Sequence, residues 1–321
     1  MLNNQIINLK DTKMSSKLRA VLEKISLVAK DLAYTISLSP IDGGLDGEVG
    51  TNSDGDGQKA LDVIADDAYS QALISTDVRW YASEEQEEVV SLNTHGGLAI
   101  AIDPLDGSSN INSNVSIGTI FGIYPAKDDG NDSFLRRGSE LLAAGYVIFG
   151  PQTSLVFSVG QGIEYFVLDQ KNEQFFRVKK DISITKVSKE YAINSSNIRH
   201  WSPKISKFVE NCNLGKTGPF NKDYNMRWIA SLVAETHRIL IRGGIFLYTE
   251  DARDGYENGR LRMVYECAPI AYLIEQAGGL AVDGVSNTLN LVPKSLHART
   301  PFCFGSHDEI LCLMKEIKID K

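Results

Sequence analysis

The sequence predicts a layered α/β protein made of two associated halves. Three observations point there. The chain has 321 residues, about two domains at roughly 150 residues each. Its N-terminal part carries apolar residues at helical spacing and then a series of short β-rich runs. Beyond residue 200 helical patterns return, and two of them end in glycine pairs.

Leu18, Val21, Leu22, Ile25, Val28, Leu32 and Ile36 recur every three or four positions, which predicts an amphipathic helix over 17–37, ended by Pro40. Residues 41–58 are rich in Gly and Asp with little to bury, and predict a mobile surface loop. A second helix is expected over 59–75. Strands are expected at 98–102, 115–124, 141–149, 155–159, 163–168 and 175–178, with turn residues such as 169–172 between them. Residues 180–200 read as a crossover, so the halves are placed at 1–180 and 181–321. In the second half, 202–211 and 226–241 read as helices, 245–248 as a strand and 265–276 as a helix closed by Gly278 and Gly279.

Composition excludes several classes. Hydrophobic residues at 43% and charged residues at 23% are near globular averages, and no apolar run approaches the ~18 residues needed to cross a bilayer. A soluble protein is expected, with no membrane partner. The N-terminal segment has neither a cationic start leading into an apolar block nor a small-residue cleavage pattern, which argues against export and for a cytoplasmic location. Cys212, Cys267, Cys303 and Cys312 show no zinc-ligand spacing and read as reduced packing residues. A net charge of −8 disfavours nucleic acid, because such binding draws on clustered Lys and Arg. One local exception could serve an anionic substrate: Arg227, Arg238, Arg242, Arg253, Arg260 and Arg262 fall in one stretch. Any one of them alone reads as a solvated helix face.

Three motif fragments fail on inspection. Asn52, Asp54, Asp56 and Gly57 imitate the start of a calcium loop, but the position that needs a bidentate Glu is Val63. Gly215-Lys216-Thr217 lacks the opening Gly of a P-loop, where Glu210 stands, and reads as a helix-capping turn. Gly160-Gln161-Gly162 lacks the third Gly of a dinucleotide fingerprint, where Tyr165 stands, and reads as a hairpin turn.

The informative segment is LAIAIDPLDGSSNI at 98–111. An apolar strand delivers Asp103 where it leaves the sheet, and Pro104 fixes φ so that Asp103 and Asp106 can face one side with the Leu105 carbonyl beside them. Two carboxylates and a carbonyl suit a hard cation. Gly107, Ser108 and Ser109 then offer N–H groups and hydroxyls suited to a phosphate. Taken alone, the pattern reads first as an ordinary Asp-Pro, Asp-Gly turn. Its company shifts the balance: Ser83-Glu84-Glu85 lies upstream, and Asp62 sits on the second expected helix. Two carboxylates ~4 Å apart repel by roughly 4 kcal/mol at an effective dielectric near 20, so converging carboxylates shed charge or take cations. Oxygen-rich, histidine-free ligation selects Mg²⁺ or Mn²⁺ over zinc.

AIDPLDGSSNINSNVSIGTIFGIY, with NGRLRMVYECAPIAYLIEQAGG at 258–279, closely resembles the class I fructose-1,6-bisphosphatases. The resemblance extends through KALD at 59–62, SEE at 83–85, YAIN at 191–194 and MRWIASLVAETHRILIRGGIFLY at 226–248, in one collinear order over most of the chain. Inositol-monophosphatase relatives share the DPLDG element but carry a WDxxA-type segment later; YECAP with Glu266 stands here instead.

The resemblance implies a sugar-phosphatase fold of alternating helix and sheet layers, and Mg²⁺-dependent hydrolysis of the 1-phosphate of fructose 1,6-bisphosphate in gluconeogenesis or Calvin-type carbon metabolism. Sedoheptulose 1,7-bisphosphate is the alternative substrate, and a non-catalytic metabolite sensor the alternative class. Carried over by motif, Glu84, Asp103, the Leu105 carbonyl, Asp106 and Glu266 would bind metal, while Glu85 and Asp62 would deprotonate and position water. Asp106, Gly107, Ser108 and Ser109 would contact the 1-phosphate. Asn194, Tyr248 and Arg260 would hold the sugar and its 6-phosphate, with Arg227 reaching in from a neighbouring subunit of a homo-oligomer, a tetramer in the family. The chain departs from the family pattern with Arg260 for a Lys and Trp228 for a Tyr. Gly97-Leu98 and Pro125 replace residues of the AMP-inhibited members, which implies weak or absent AMP inhibition by that route.

Overall fold

The computed structural model describes Ile7, Leu9 and residues 12–38, 48–51 and 57–318. Most of the 41–58 loop, with Asn52, Asp54 and Asp56, lies outside them.

Helix α1 (Ser16–Leu38) buries Leu18, Val21, Leu22, Ile25, Val28 and Leu32, the stripe its periodicity predicts. Strands β1 (Glu48–Thr51) and β2 (Gly57–Lys59) pair antiparallel within the segment expected to be loop, ahead of α2 (Ala60–Leu73). The first large sheet follows, from β3 (Val78–Ser83), β4 (Val90–Ser91), β5 (Leu98–Asp106), β6 (Ile117–Pro125), β7 (Ala143–Phe149), β8 (Ser154–Ser158), β9 (Glu164–Asp169) and β10 (Gln174–Lys180). Its order is β10-β9-β8-β7-β6-β5-β3-β4, antiparallel except for the β3–β5 pair.

In the second half come β11 (Glu190–Ala192), α3 (Pro203–Asn213), β12 (Asn225–Met226), α4 (Leu232–Arg242), β13 (Ile245–Tyr248), β14 (Leu261–Arg262), α5 (Ala268–Gln276), β15 (Leu280–Val282), β16 (Arg299–Thr300), β17 (Phe302–Gly305) and α6 (His307–Lys318). A five-stranded sheet takes the order β12-β11-β13-β17-β15, and β14 pairs with β16 alone. Among the described residues no helix is long and apolar enough to cross a membrane.

Period-two alternation turns these elements into layers. On β5, Leu98, Ile100 and Ile102 join the core beneath α1 and α2, while Ala99 and Ala101 face the core containing α4 and α5. On β13, Phe246 faces that same central core, whereas Ile245 and Leu247 meet α3 and α6. The result is helix, sheet, helix, sheet, helix, the alternating architecture expected.

Besides the β1–β2 pairing in the expected loop, four sequence expectations need correction. The strand bearing Asp103 does not end there: β5 pairs on to Asp106 through an irregular register between the two, where Pro104 is tolerated. The helix expected from 226 starts only at Leu232, because Met226 pairs in β12, Ala230 takes φ +63° and the Ser231 side chain caps Ala234 N–H. The helix expected from 265 starts at Ala268 after a π-helical turn, Met263–Cys267. Within the 180–200 crossover, β11 sits between β12 and β13 as part of the second sheet. The two glycine motifs set aside are turns as expected: Gly215–Thr217 is one turn of 3-10 helix after α3, and Gly160–Gly162 lies in the β8–β9 connection.

Candidate functional site

The site begins at the end of β5. Gly118 on β6 pairs opposite Asp106. A Cβ on Gly118 would lie 2.8 Å from a Val233 methyl and 2.1 Å from the Val147 carbonyl oxygen, so only glycine lets the N-terminus of α4 come this close. That approach brings the Val233 N–H to Asp106 Oδ2, which accepts it at 3.0 Å. Leu105 N–H donates to Asp103 Oδ1 at 3.0 Å, and Thr119 Oγ1 donates to the Pro104 carbonyl at 2.9 Å, pinning the bulge on both sides. Gly107 takes φ +79° and turns the chain into a 3-10 helix, Ser108–Ser113.

Glu266 arrives from the π-helical turn, and its Oε2 accepts the Arg262 N–H at 2.5 Å. Carboxylate oxygens of Asp103, Asp106 and Glu266 all lie within 4.8 Å of one another, and all three residues are buried. Glu84 stands close enough to press on each of their charges; its backbone is fixed by an N–H donated to the Ile102 carbonyl at 3.0 Å. Burial, reinforced by Glu84, Asp106 and Glu266, holds the Asp103 carboxyl well above its ordinary range. Glu266 is pushed up for the same reasons, and Asp106 is pushed up to about 7 by burial against the lowering effect of the Val233 N–H. These groups resist ionising together until a cation joins them. Part of that cation is present in the chain, since the buried Arg262 guanidinium pairs with Glu84.

The cluster opens on a cavity of about 390 Å³. Asp106, Gly107, Ser109 and Glu266 line it together with Asn194, Tyr248, Arg260 and Trp228. Trp228 stacks on Phe246, ring centroids 5.8 Å apart and planes 8° apart, and tilts against Tyr248 at 6.1 Å. Burial raises the Tyr248 hydroxyl above its usual range despite Arg260 nearby, so it stays a neutral donor. Asn194 Oδ1 accepts from Ser196 N–H at 3.2 Å and Ser196 hydroxyl at 2.6 Å, which leaves its amide NH₂ to act as donor.

The structure therefore brings Asp103, Asp106 and Glu266 together with Glu84 beside them, and sets Gly107, Ser109, Asn194, Tyr248 and Arg260 around one cavity. Other expected residues lie outside this set. Ser108 is half-buried and is not part of the cavity wall. Asp62 is buried in the first turn of α2, behind β5, and Glu85 follows Glu84 with its N–H donated to Ser83 Oγ at 3.2 Å. Arg227 does not line the cavity of its own chain; it is half-exposed, with Nε 3.6 Å from Glu190 Oε1. Sequence reasoning named Arg262 only as one of six arginines in a basic stretch and passed over Arg299; the two are register partners on the β14–β16 ribbon at the cavity wall. The available signal was alternation, since Arg262 lies two residues beyond Arg260 and four before Glu266.

Among known families, residues 2–180 match the profile described as Fructose-1-6-bisphosphatase, N-terminal domain, and residues 184–318 match the one described as Fructose-1-6-bisphosphatase, C-terminal domain. A Cereibacter sphaeroides protein named fructose-1,6-bisphosphatase class 1 1 is 56% identical over 293 residues, 91% of this chain and 88% of its own. The fructose-1,6-bisphosphatase class 1 of Rhodobacter capsulatus is 56% identical over 299 residues, 93% of this chain and 90% of its own. The crystal structure of the Leishmania major fructose-1,6-bisphosphatase in holo form superposes with a TM-score of 0.89 at 34% identity, covering 95% of both chains. With both halves matched in order and identity above half along nine-tenths of its length, the chain belongs to the class 1 fructose-1,6-bisphosphatase family.

Proposed function

We propose that the chain hydrolyses the 1-phosphate of fructose 1,6-bisphosphate, giving fructose 6-phosphate and inorganic phosphate. The observation that carries this is a buried cluster of three carboxylates opening on a cavity that Arg260, Tyr248 and Asn194 also line. The carboxylates suit a reacting phosphate with its cations; the other three residues suit a sugar and a second phosphate.

The donor set fits a hard divalent cation: carboxylate oxygens without His or Cys, and carboxyl groups that burial and mutual repulsion push up. Glu84, Asp103, Asp106, Glu266 and the Leu105 carbonyl would hold Mg²⁺, or Mn²⁺ in its place. When bound, the cation supplies positive charge to the phosphoryl oxygens and makes water more acidic.

The chain's own residues do the rest. Gly107, Ser108 and Ser109 orient the 1-phosphate, while Asn194, Tyr248 and Arg260 fix the sugar and 6-phosphate, so that water meets phosphorus opposite the sugar oxygen. Glu85 and Asp62 position that water and take its proton. The phosphorus–oxygen bond to the sugar breaks, and the sugar oxygen takes a proton from solvent water, so that the proton passed to Glu85 and Asp62 is balanced when it returns to solvent. Acid–base help worth ~10²–10⁴ falls far short of the ~10²¹-fold that phosphate monoesters can require, so the larger share would come from the positive charge of the cation that the carboxylate cluster would hold.

Arg227, half-exposed and outside the lining of its own cavity, would complete the site of a neighbouring subunit in a homotetramer. The two halves, 1–180 and 181–321, would supply the metal side and the sugar side respectively. Inorganic phosphate release with and without Mg²⁺, compared across fructose 1,6-bisphosphate, sedoheptulose 1,7-bisphosphate and inositol phosphate, tests the assignment. Mg²⁺-dependent turnover of the fructose substrate is expected; faster turnover of the seven-carbon sugar would move the assignment to it, and no turnover would leave a metabolite sensor.

A further inference from the structure

The connection between β13 and β14, residues 249–260, contains an arrangement that the site described above does not use. The ring of Tyr256 meets two guanidiniums, with Arg253 Cζ 4.0 Å and Arg260 Cζ 4.6 Å from its centroid. Arg260 Nη1 also donates to the Tyr256 hydroxyl at 2.6 Å. Arg253 is held by Asp251, its Nε 2.9 Å and 3.1 Å from the two carboxylate oxygens. Tyr256 is fixed through its backbone: its N–H donates to the Arg253 carbonyl at 3.0 Å, and its carbonyl accepts from Gly259 at 3.0 Å and Asp251 at 3.3 Å.

Of the three cavity arginines, Arg260 and Arg262 thus have opposite partners. Arg262 faces a carboxylate, Glu84, which spends its charge inside the protein. Arg260 is anchored by a neutral hydroxyl and a ring, and among the described residues no carboxylate pairs with it. A guanidinium carries five N–H donors in a plane; one is committed to Tyr256, and the others remain for an anion in the cavity. A neutral anchor orients the group without cancelling its charge. An ammonium can also sit over a ring, as Lys222 Nζ does 5.1 Å from the Tyr224 centroid, but it has no plane to align on Tyr256 and keeps fewer donors for an anion once one is committed.

We propose that Tyr256 is a positioning residue: it holds the Arg260 guanidinium toward the cavity and thereby sets affinity for the phosphate distal to the one hydrolysed. The inference rests on the proposed function, in which the cavity takes a sugar bisphosphate. Tyr256 touches no reacting atom, so its loss acts on binding of the distal phosphate and not on the bond-breaking step.

Tyr256→Phe keeps the ring and removes only the hydroxyl; Tyr256→Leu removes both. With fructose 1,6-bisphosphate, KM should rise about threefold in the first and about tenfold in the second, with kcat within about twofold of wild type. KM for fructose 1-phosphate, which lacks the distal phosphate, should stay at the wild-type value. Adding Tyr256→Leu to Arg260→Met should raise KM no further, since the tyrosine acts through the arginine. Wild-type KM for the bisphosphate in both variants, or an equal rise for the monophosphate, overturns the proposal. Calorimetric binding of fructose 6-phosphate separates it from the functional reading. Binding that weakens in Tyr256→Leu while the wild type releases no phosphate sustains the inference and ends the hydrolytic assignment; turnover with unaltered binding does the reverse.

Discussion

The Val233 N–H donates to Asp106 Oδ2 at 3.0 Å, so the first turn of α4 fixes a carboxylate carried at the end of β5, 127 residues earlier. The contact joins the two sheets' layers at the point where the candidate site opens. A helix N-terminus favours the ionised carboxylate, while burial opposes it, and the outcome is a group pushed up to about 7. Asp106→Asn keeps an oxygen to accept the Val233 N–H and removes the charge. Mg²⁺-dependent phosphate release should fall by at least ~10²-fold, the order seen when one charge-stabilising group is removed. The melting temperature of the metal-free protein should hold or rise, because one buried like charge is gone. Full activity in Asp106→Asn would remove Asp106 from the site.

Divalent metal should stabilise the fold. A ligand at 100 times its Kd adds about 2.7 kcal/mol, which is several degrees in melting temperature for a chain of this size. Mg²⁺ titrated into chelator-treated protein should raise Tm by that order and a chelator should reverse it. The rise should vanish in Glu266→Gln, whose carboxylate belongs to the cluster. An equal rise in that variant would place the ion elsewhere.

Trp228 forms a wall of the cavity by stacking on Phe246. An aromatic pair of this kind contributes about 0.5–1.5 kcal/mol beyond its buried area. Trp228→Ala should therefore raise KM for the bisphosphate up to about tenfold while kcat changes little. A fall in kcat with constant KM would show that Trp228 acts on the chemical step.

Much of this could be seen in the chain before folding, for reasons that differ from residue to residue. LAIAI at 98–102 is an unbroken apolar run, so a buried β5 was legible, and the Pro in DPLD marked the turn that lets Asp103 and Asp106 face one side, although β5 pairs on past it. The pairing of Arg262 with Glu84 spans 178 positions, and no local pattern encodes it. Residues 226–231 carry an apolar rhythm that continues into α4, which hid the strand and the left-handed Ala230; Ser231 as a capping residue was the one local sign of the true start. Strands β15, β16 and β17 have three, two and four residues, too few to show alternation, and they exist because longer neighbours pair with them. The roles of Tyr248 and Arg260 came from the family resemblance; composition alone reads them as core and surface.

Behind the 227–231 segment runs a buried relay. Ile229 N–H donates to Glu235 Oε1 at 2.7 Å, Arg238 forks onto Glu235 Oε2 at 3.0 and 2.8 Å, and Arg238 Nη1 reaches Glu190 Oε2 at 2.8 Å. Glu235 is wholly buried, and burial raises its carboxyl against the pull of Arg238. Arg238→Met strands that carboxylate, so unfolding free energy should fall by about 3–5 kcal/mol, the usual cost of breaking a buried pair from one side. Urea unfolding measures it. The double variant with Glu235→Leu should recover part of the loss, and a single variant costing under about 1 kcal/mol would show that solvent reaches the pair.

His237 supplies the acid limb of the stability profile. It lies on α4 with Nδ1 2.8 Å from the Tyr146 hydroxyl, its ring edge-on to Tyr146 and Tyr165, and burial lowers its pKa to about 4 from the ordinary 6.5. The folded state therefore refuses a proton that the unfolded chain accepts. Stability from this group is fully present above pH 6.5 and is lost as pH falls toward 4, where the folded protein also begins to protonate. Each pH unit within that window is worth at most about 1.4 kcal/mol, so the total loss is on the order of 3 kcal/mol. His237→Gln keeps a polar partner for Tyr146 and removes the titration. Unfolding free energies of the two proteins, measured from pH 7 to pH 4, should converge by that order as pH falls, while the buried carboxyl groups titrate alike in both and cancel. Parallel profiles would mean that His237 is solvated enough to protonate in the folded state.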